Sequence, residues 1–250
     1  MITDLKNKNI IIFGATSGIG KSLSMFLDKF GANLILIARD KKHLNVIAKK
    51  IKRKTQLFIC DFNDNQEIKT TFNKIRKLNI KIDGLVYLGG VHLIKPISLT
   101  ELKDLNYLLN VNFIAPYLIL KEFSSNFLRS KMSSVVFITS ISALAGQSAL
   151  SAYASTKGAI ISLTKSAAIE MARNKIRVNC IAPGHLEGTK MSNETKSLLT
   201  DAQYNNLVTS HPLGIGKPID VSRCIGYLLS DASKWITGSV IKIDGGFSVG

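Results

Sequence analysis

Cysteine, histidine and proline are scarce in this chain of 250 residues, which has only three, four and five of them respectively. The cysteines, Cys60, Cys180 and Cys224, are odd in number and stand far apart in apolar segments, as reduced core thiols do and disulfide frameworks do not. The histidines are equally scattered, and none forms a ligand pair at the spacing of a metal site. We therefore expect neither a disulfide nor a bound metal.

Long apolar runs and linker-like stretches are missing as well. No run approaches the length that crosses a bilayer, and the apolar run near the N-terminus is too short for a signal peptide. No stretch is rich enough in Gly, Ser or charge to separate two domains. These absences predict a soluble, cytoplasmic protein with one domain over residues 1–250.

Acidic residues are few, since 17 Asp and Glu stand against 33 Lys and Arg and the formal net charge is +16. Such an excess of positive charge suggests nucleic acid as a binding partner. The lysines, however, fall on the polar positions of amphipathic segments and are not interleaved with aromatic residues. Nucleic-acid binding is therefore disfavoured and kept only as an RNA-binding side role, because an anionic cofactor or substrate would use the same charge.

Short apolar runs alternate with amphipathic helical patterns along the whole chain. The runs predict strands at 9–13, 33–38, 56–60, 84–88, 135–139, 177–181 and 240–243. The patterns predict helices near 21–30, 44–51, 64–78, 101–129, 152–173 and 218–230. This alternation indicates an α/β fold in which helices cover both faces of a parallel sheet.

A glycine loop, GATSGIG, joins the first predicted strand to the first predicted helix. Its glycines Gly14, Gly18 and Gly20 are spaced GxxxGxG and not in the GxGxxG pattern of typical dehydrogenases. Bare backbone at this point lets a phosphate approach the N-terminus of the helix, although a tight turn is the alternative interpretation.

The ends of the second and third strands bear on the type of cofactor. In LIARD, Ala38 occupies the position where an acidic residue would bind a ribose hydroxyl, and Arg39 suits a 2′-phosphate. This favours NADP(H) over NAD(H), with Asp40 as the counter-argument because it would neutralise Arg39 or itself hold a ribose. Asp61 is either an acceptor for an adenine amino group or part of a helix N-cap region.

The segment SAYASTKGA carries Tyr153 and Lys157, which project from one face of a helix because they are four residues apart. An ammonium beside a phenol lowers its pKa, which makes a tyrosine a usable proton donor. Ser140 ends the buried strand pattern SVVFITS, and ligands of open α/β sheets gather at such carboxyl ends. Together these residues predict the active site of a reductase.

These motifs, with Asn112, IAPG at 181–184, HPLG at 211–214, SDASKWITG at 230–238 and IDGG at 243–246, stand in one order along nearly the whole chain. The set resembles the short-chain dehydrogenase/reductase family, and in pattern it is most similar to bacterial 3-oxoacyl-[acyl-carrier-protein] reductases. The resemblance implies a Rossmann-type, doubly wound sheet of about seven strands, usually in a homotetramer or homodimer.

The resemblance also implies a role for each residue of the tetrad. Tyr153 would give a proton to the substrate oxygen, and Lys157 would lower its pKa and bind the nicotinamide ribose. Ser140 would polarise the carbonyl, and Asn112, favoured over Asn110, would hold a water that connects Lys157 to solvent. The implied cofactor-binding residues are Gly14, Ser17, Gly18, Ile19, Gly20, Arg39, Asp61, Phe62, Gly90, Tyr153, Lys157, Pro183, Gly184 and Thr189.

Two segments on the cofactor side depart from the family pattern. Phe13 stands where the family has a Thr, and the residues YLGG at 87–90 replace Asn-Asn-Ala-Gly. We expect altered loop packing or weaker cofactor affinity from the loss of these polar braces. The family has a Thr that contacts the nicotinamide carboxamide; here one extra residue precedes Thr189, the residue assigned to that contact, and the backbone of 181–184 offers a second contact.

Residues 185–212 are polar and lack periodicity, which predicts a mobile lid over the substrate. In it, His185 is either a substrate contact or merely exposed.

The leading hypothesis is an NAD(P)(H)-dependent oxidoreductase acting on a carbonyl or secondary alcohol, with 3-oxoacyl thioesters as the first choice of substrate. An acyl carrier protein would then dock on Arg129, Lys131, Arg173 and Lys175. The alternatives are a reductase of a surface-carbohydrate pathway and a catalytically silent dinucleotide-binding protein.

Overall fold

A computed structural model of the protein describes residues 3–53, 55–125 and 128–249. Seven parallel strands form one sheet in the order β3-β2-β1-β4-β5-β6-β7. The direction of winding reverses between β1 and β4, and this is where ligands of open α/β sheets bind. The strands are β1 Asn9–Phe13, β2 Asn33–Ala38, β3 Gln56–Ile59, β4 Ile82–Tyr87, β5 Arg129–Ile138, β6 Ile176–Pro183 and β7 Val240–Ile243.

The helices lie between the strands and cover both faces of the sheet. They are α1 Gly18–Lys29, α2 Lys41–Ala48, α3 Asn65–Arg76, α4 Leu102–Leu109, α5 Ala115–Phe123, α6 Ser151–Ala172, α7 Lys190–Leu198, α8 Asp201–Thr209 and α9 Pro218–Leu229. A single turn of π-helix, Asn110–Ile114, joins α4 to α5, and we call it the π-turn. Short 3-10 turns occur at Thr3–Leu5, Ile97–Leu99, Ile141–Ala143 and Asp231–Ser233.

Two apolar cores, one on each face of the sheet, follow from the alternation of side chains along the strands. In β1, Ile11 and Phe13 point into the core that includes residues of α3, α5 and α6, whereas Ile10 and Ile12 point into the core that includes residues of α1 and α9. All four side chains are at most 1% exposed. The predicted α/β fold of Rossmann type is confirmed.

The expected helix over 101–129 is wrong at its C-terminal end. Helix α5 ends at Phe123, and Arg129 already begins β5. The polar start of β5 escaped detection because it lies at the margin of the sheet, where Ser130 Oγ donates to Asp83 Oδ1 at 2.6 Å. A polar margin carries no strand periodicity, so only the apolar second half of β5 was predicted.

The segment 185–212 is also more ordered than a polar loop, because it contains α7 and α8. Each helix begins with a capping box, formed by Thr189 with Ser192 and by Thr200 with Gln203. Neither helix buries an apolar side chain. The apolar period by which helices are recognised is therefore weak here, and the caps were the only signal.

Within the described ranges, no helix combines the length and the apolar character needed to cross a bilayer. In the same residues, no group of three or more His, Cys, Asp and Glu side chains is placed to hold a metal ion.

Candidate functional site: the carboxyl edge of the sheet

The glycine loop packs so tightly that side chains are excluded at two positions. Gly14 has a φ of +82°, and a Cβ there would lie 2.8 Å from the backbone nitrogen of Gly89. A Cβ at Gly20 would lie 2.3 Å from the carbonyl oxygen of Gly14. Ser17 is the N-cap of α1, since its Oγ accepts from the Gly20 N–H at 3.0 Å. The first N–H groups of α1, including that of Ile19, have no partners inside the helix, which is the geometry that binds a phosphate.

The end of β6 and the start of α7 close over this loop. Gly184 N–H donates to the Ile243 carbonyl at 2.9 Å, so that Pro183 and Gly184 extend the edge of the sheet. Thr189 is the N-cap of α7, and its methyl group would lie 2.8 Å from a Cβ at Gly18. The structure thus brings Thr189 to the glycine loop despite the extra residue before it.

Arg39 and Asp40 at the end of β2 do not pair with each other. Asp40 is the N-cap of α2, and its carboxylate accepts from the backbone N–H of His43 at 3.0 Å and contacts the His43 Nδ1 at 2.6 Å. These contacts with His43 lower the pKa of Asp40. The exposed Arg39 guanidinium has no hydrogen bond or ion pair among the residues that the structure describes. The expectation that Asp40 neutralises Arg39 is therefore wrong.

Asp61 follows β3 at the same edge. Its Oδ1 accepts from the Asn63 N–H at 3.0 Å, and the N-cap of α3 is Asp64. Asp61 is therefore not the N-cap itself, but it belongs to the N-cap region of α3, since its backbone N–H donates to Glu67 Oε2 at 2.7 Å. Its role as an acceptor for an adenine amino group stays a prediction. The neighbouring Phe62 side chain is buried, so that any contact of this residue with a cofactor would use its backbone.

An aromatic cluster occupies the place of the missing polar braces. We use this name for Phe13, Phe62, Phe72 and Tyr87. Phe13 stacks on Phe72 with ring centroids 5.7 Å apart, and it packs edge-on against Phe62 at 5.9 Å. Tyr87 lies 5.5 Å from Phe62 and 6.3 Å from Phe13. Ring packing therefore holds these residues together, and the altered packing of the loop relative to the family stays a prediction.

Asn112 lies in the π-turn and is almost completely buried. Its Oδ1 accepts from the Val91 N–H at 2.9 Å, and its Nδ2 donates to the Val91 carbonyl at 3.0 Å and to Thr156 Oγ1 at 3.0 Å. Gly90 is next to this contact, and a Cβ there would lie 3.4 Å from the Lys157 Nζ. Asn112 therefore ties the loop after β4 to α6, whereas Asn110 donates to Asn63 at 3.3 Å on the surface.

Tyr153 and Lys157 project from α6 toward Ser140, as their spacing predicts. The Lys157 Nζ lies 5.8 Å from the centroid of the Tyr153 ring and donates to the Ile138 carbonyl at 3.1 Å. Burial raises the pKa of Tyr153 to about 12, and a hydrogen bond with Ser140 acts in the opposite direction. Burial lowers the pKa of Lys157 to about 8. Desolvation therefore dominates the pKa of the resting phenol, and the acidifying effect of Lys157 stays a prediction.

Two histidines border the cleft. His92 packs edge-on against Tyr153 with ring centroids 4.7 Å apart, and no feature of the sequence pointed to it. His185 packs edge-on against Tyr204 of α8 at 6.3 Å, and its Nε2 is buried without a hydrogen-bond partner in the described part of the chain. Burial lowers the pKa of both histidines. His185 is therefore not merely exposed.

The four basic residues expected to dock an acyl carrier protein lie at the wrong edge of the sheet. Arg129 and Lys131 are at the start of β5, and Arg173 and Lys175 immediately precede β6. Ser140 follows the other end of β5, which is roughly 30 Å away at about 3.3 Å per residue. The docking prediction is wrong because these residues flank the amino ends of the strands.

Known proteins are similar to this chain over almost its whole length. A family model described as Enoyl-(Acyl carrier protein) reductase matches residues 14–248. A 3-oxoacyl-[acyl-carrier-protein] reductase of Thermotoga maritima is 30% identical over 249 residues, with 98% of this chain and 99% of the relative covered. A tropinone reductase homolog of Arabidopsis thaliana is 31% identical over 257 residues, with 98% and 94% covered.

Solved structures share the fold over almost the whole chain. A variant of actinorhodin polyketide ketoreductase, solved with NADPH, is 21% identical with a TM-score of 0.91, and 98% of each chain is covered. A short-chain type dehydrogenase/reductase of Mycobacterium marinum is 26% identical with a TM-score of 0.89, with 100% of this chain and 98% of the other covered.

Proposed function

Since the chain belongs to the short-chain dehydrogenase/reductase family, we propose that it reduces 3-oxoacyl thioesters with NADPH. The protein is an NAD(P)-dependent oxidoreductase that acts on a carbonyl or a secondary alcohol. One observation carries the proposal: Tyr153, Lys157, Ser140 and Asn112 converge at the carboxyl edge of the sheet, next to a glycine loop whose backbone suits a dinucleotide phosphate. Residues 1–250 would act as one domain.

The residues around the cleft fit a dinucleotide. The first turn of α1 would hold its phosphates, and Asp61, Gly90, Gly184 and Thr189 line the same edge of the sheet. When bound, the nicotinamide supplies the hydride of the reduction.

In the proposed mechanism, Tyr153 donates a proton to the substrate oxygen. A phenol with a pKa of about 12 retains its proton at neutral pH, which a proton donor must do. Lys157, with a pKa of about 8, is mostly charged at neutral pH, and its charge favours the phenolate that remains after the proton has left. Ser140 orients the carbonyl beside Tyr153. The water relay through Asn112 stays a prediction.

Arg39 supports the choice of NADPH. Its guanidinium lies at the carboxyl end of β2 with no partner among the described residues, so it is available for a 2′-phosphate. Asp40, which would favour a ribose hydroxyl, is already engaged by His43.

Names of relatives support the choice of substrate, since the Thermotoga relative and others are 3-oxoacyl-[acyl-carrier-protein] reductases. We infer a cytoplasmic enzyme that works as a homotetramer or homodimer. Exposed apolar side chains support an oligomer, among them Trp235 at 96% exposure and Ile169 at 79%. Sedimentation velocity tests this assembly, and a monomer at micromolar concentration would contradict it.

The test of function is NADPH consumption with 3-oxoacyl thioesters, ketoses and diketones. We expect turnover to be fastest with the thioesters and to fall about 100-fold or more in Tyr153→Phe. Tyr117→Phe, a change at a half-exposed tyrosine of α5, is the matched control and should retain full activity. A faster reaction with ketoses would favour the carbohydrate alternative. Tight NADPH binding without turnover of any compound would favour the silent binding protein.

A further inference from the structure

We propose that Tyr87 is a positioning residue for the catalytic edge, because its hydroxyl holds the π-turn that carries Asn112. Tyr87 is the last residue of β4, and its side chain is 2% exposed. Its Oη donates to the Val111 carbonyl at 2.5 Å. Val111 immediately precedes Asn112, so this bond joins the end of a central strand to the backbone next to a residue of the tetrad.

The irregular backbone of the π-turn can be stabilised by a donor from another element, such as the Tyr87 hydroxyl of β4. A π-turn has i→i+5 hydrogen bonds, as in the bond from the Ala115 N–H to the Asn110 carbonyl. It is a local departure from the α-helix, and the Tyr87 hydroxyl gives its backbone an additional hydrogen bond from another element. Burial raises the pKa of Tyr87 well above its ordinary value, so the hydroxyl remains a donor throughout the physiological range.

From Asn112, hydrogen bonds continue to the proton donor. The side chain of Asn112 binds both backbone groups of Val91 and donates to Thr156 Oγ1. Thr156 Oγ1 donates in turn to the Tyr153 carbonyl at 2.8 Å, and Thr156 directly precedes Lys157. A shift of the π-turn would therefore move the loop after β4 relative to α6.

The departures from the family pattern form one set around this tyrosine. A Cβ at Gly89 would lie 2.6 Å from the Tyr87 Oη and 2.6 Å from the Phe62 ring, so the alanine of the family pattern does not fit beside Tyr87. Phe13 and Phe62 pack against the Tyr87 ring and hold it in place. We infer that Phe13, Tyr87 and Gly89 replace the polar braces together, and that this replacement supports the tetrad.

The test compares Tyr87→Phe with a matched control. Tyr87→Phe keeps the ring and removes only the hydroxyl. Ser134→Ala removes another buried hydroxyl, which donates to the Leu228 carbonyl at 2.7 Å and lies in β5, six residues before Ser140. Amide hydrogen exchange in the resting protein is the first readout, because the Val91 N–H is bound by Asn112. We expect exchange at Val91 to become about tenfold faster in Tyr87→Phe and to stay unchanged in Ser134→Ala.

Turnover is the second readout, and it rests on the proposed function. We expect kcat to fall about three- to tenfold in Tyr87→Phe, with the KM for NADPH changed less than about twofold, and neither to change in Ser134→Ala. Unchanged exchange at Val91 in Tyr87→Phe would overturn the positioning role. Faster exchange at Val91 in a protein that reduces no compound of the panel would leave the positioning role standing and remove the proposed function.

Discussion

The two sides of the cleft are built from different interactions. On the side that we propose for catalysis, the catalytic side, hydrogen bonds hold Asn112 and Lys157. On the side that we propose for adenosine, the adenosine side at the ends of β1 and β4, ring packing holds the aromatic cluster together. The difference teaches that proton transfer needs particular side chains at particular positions. A loop that binds a cofactor through its backbone needs only a fixed conformation, which different side chains can provide.

Two departures from the family pattern, Phe13 and Tyr87, lie side by side, with ring centroids 6.3 Å apart. A third, Gly89, lies against Tyr87, since a Cβ there would be 2.6 Å from the Tyr87 hydroxyl oxygen. These departures are therefore neighbours in the structure.

The largest effect is expected at Gly20. In Gly20→Ala the new Cβ would meet the Gly14 carbonyl oxygen at 2.3 Å, so the glycine loop must move and NADPH binding should become undetectable. Gly158→Ala is the matched control in α6, where a Cβ meets nothing within 4 Å. Titration of both variants with NADPH by fluorescence measures the effect. Tight NADPH binding by Gly20→Ala would contradict the proposal that the cofactor binds close to the backbone of the glycine loop.

Packing within the aromatic cluster should contribute several kcal/mol to the free energy of unfolding. Restoring the family hydroxyl in Phe13→Thr leaves a cavity against Phe72 and is expected to lower the free energy of unfolding by about 3–4 kcal/mol. Phe58→Thr, the same change at a half-buried position of β3, should cost about 1 kcal/mol. Urea denaturation measures both. A cost for Phe13→Thr no larger than that for Phe58→Thr would mean that ring packing does not hold this side.

On the catalytic side, burial of Lys157 predicts a dependence of stability on pH. Its pKa is about 8 in the folded protein and 10.5 as a model value, so between these values the unfolded chain binds more protons. Stability relative to Lys157→Met, whose side chain does not titrate, should therefore rise with pH from about 8 to about 10.5, by at most about 3 kcal/mol. Urea denaturation of both proteins at several pH values measures the difference. A difference that is flat or falls over this range would contradict a buried, desolvated ammonium.

The smallest effect is expected at the rim of the adenosine side. Removing the free guanidinium in Arg39→Ala should raise the KM for NADPH about tenfold, or about 1.4 kcal/mol, and leave the KM for NADH unchanged. Lys41→Ala, at the exposed start of α2, is the control and should change neither value. Equal turnover of the native protein with NADH and NADPH would remove the preference for NADP(H) altogether.

The strands and the glycine loop were predictable because their signals are local. Three of the seven strands, at Asn9–Phe13, Asn33–Ala38 and Val240–Ile243, have the predicted bounds. The π-turn was not predictable, because apolar spacing continues through α4 and α5 without a break. Helices α7 and α8 were not predicted because they bury no apolar side chains.

The sequence by itself determined the alternating fold and predicted the tetrad and the glycine loop, because the spacing of residues along a helix and the succession of strands and helices along the chain are local properties. Only the tertiary structure decided which groups meet across the cleft. It put His92 against Tyr153 and joined Tyr87 to Val111. It also decided the pKa values of Tyr153 and Lys157, because desolvation depends on everything that packs around a group and not on its neighbours in the chain.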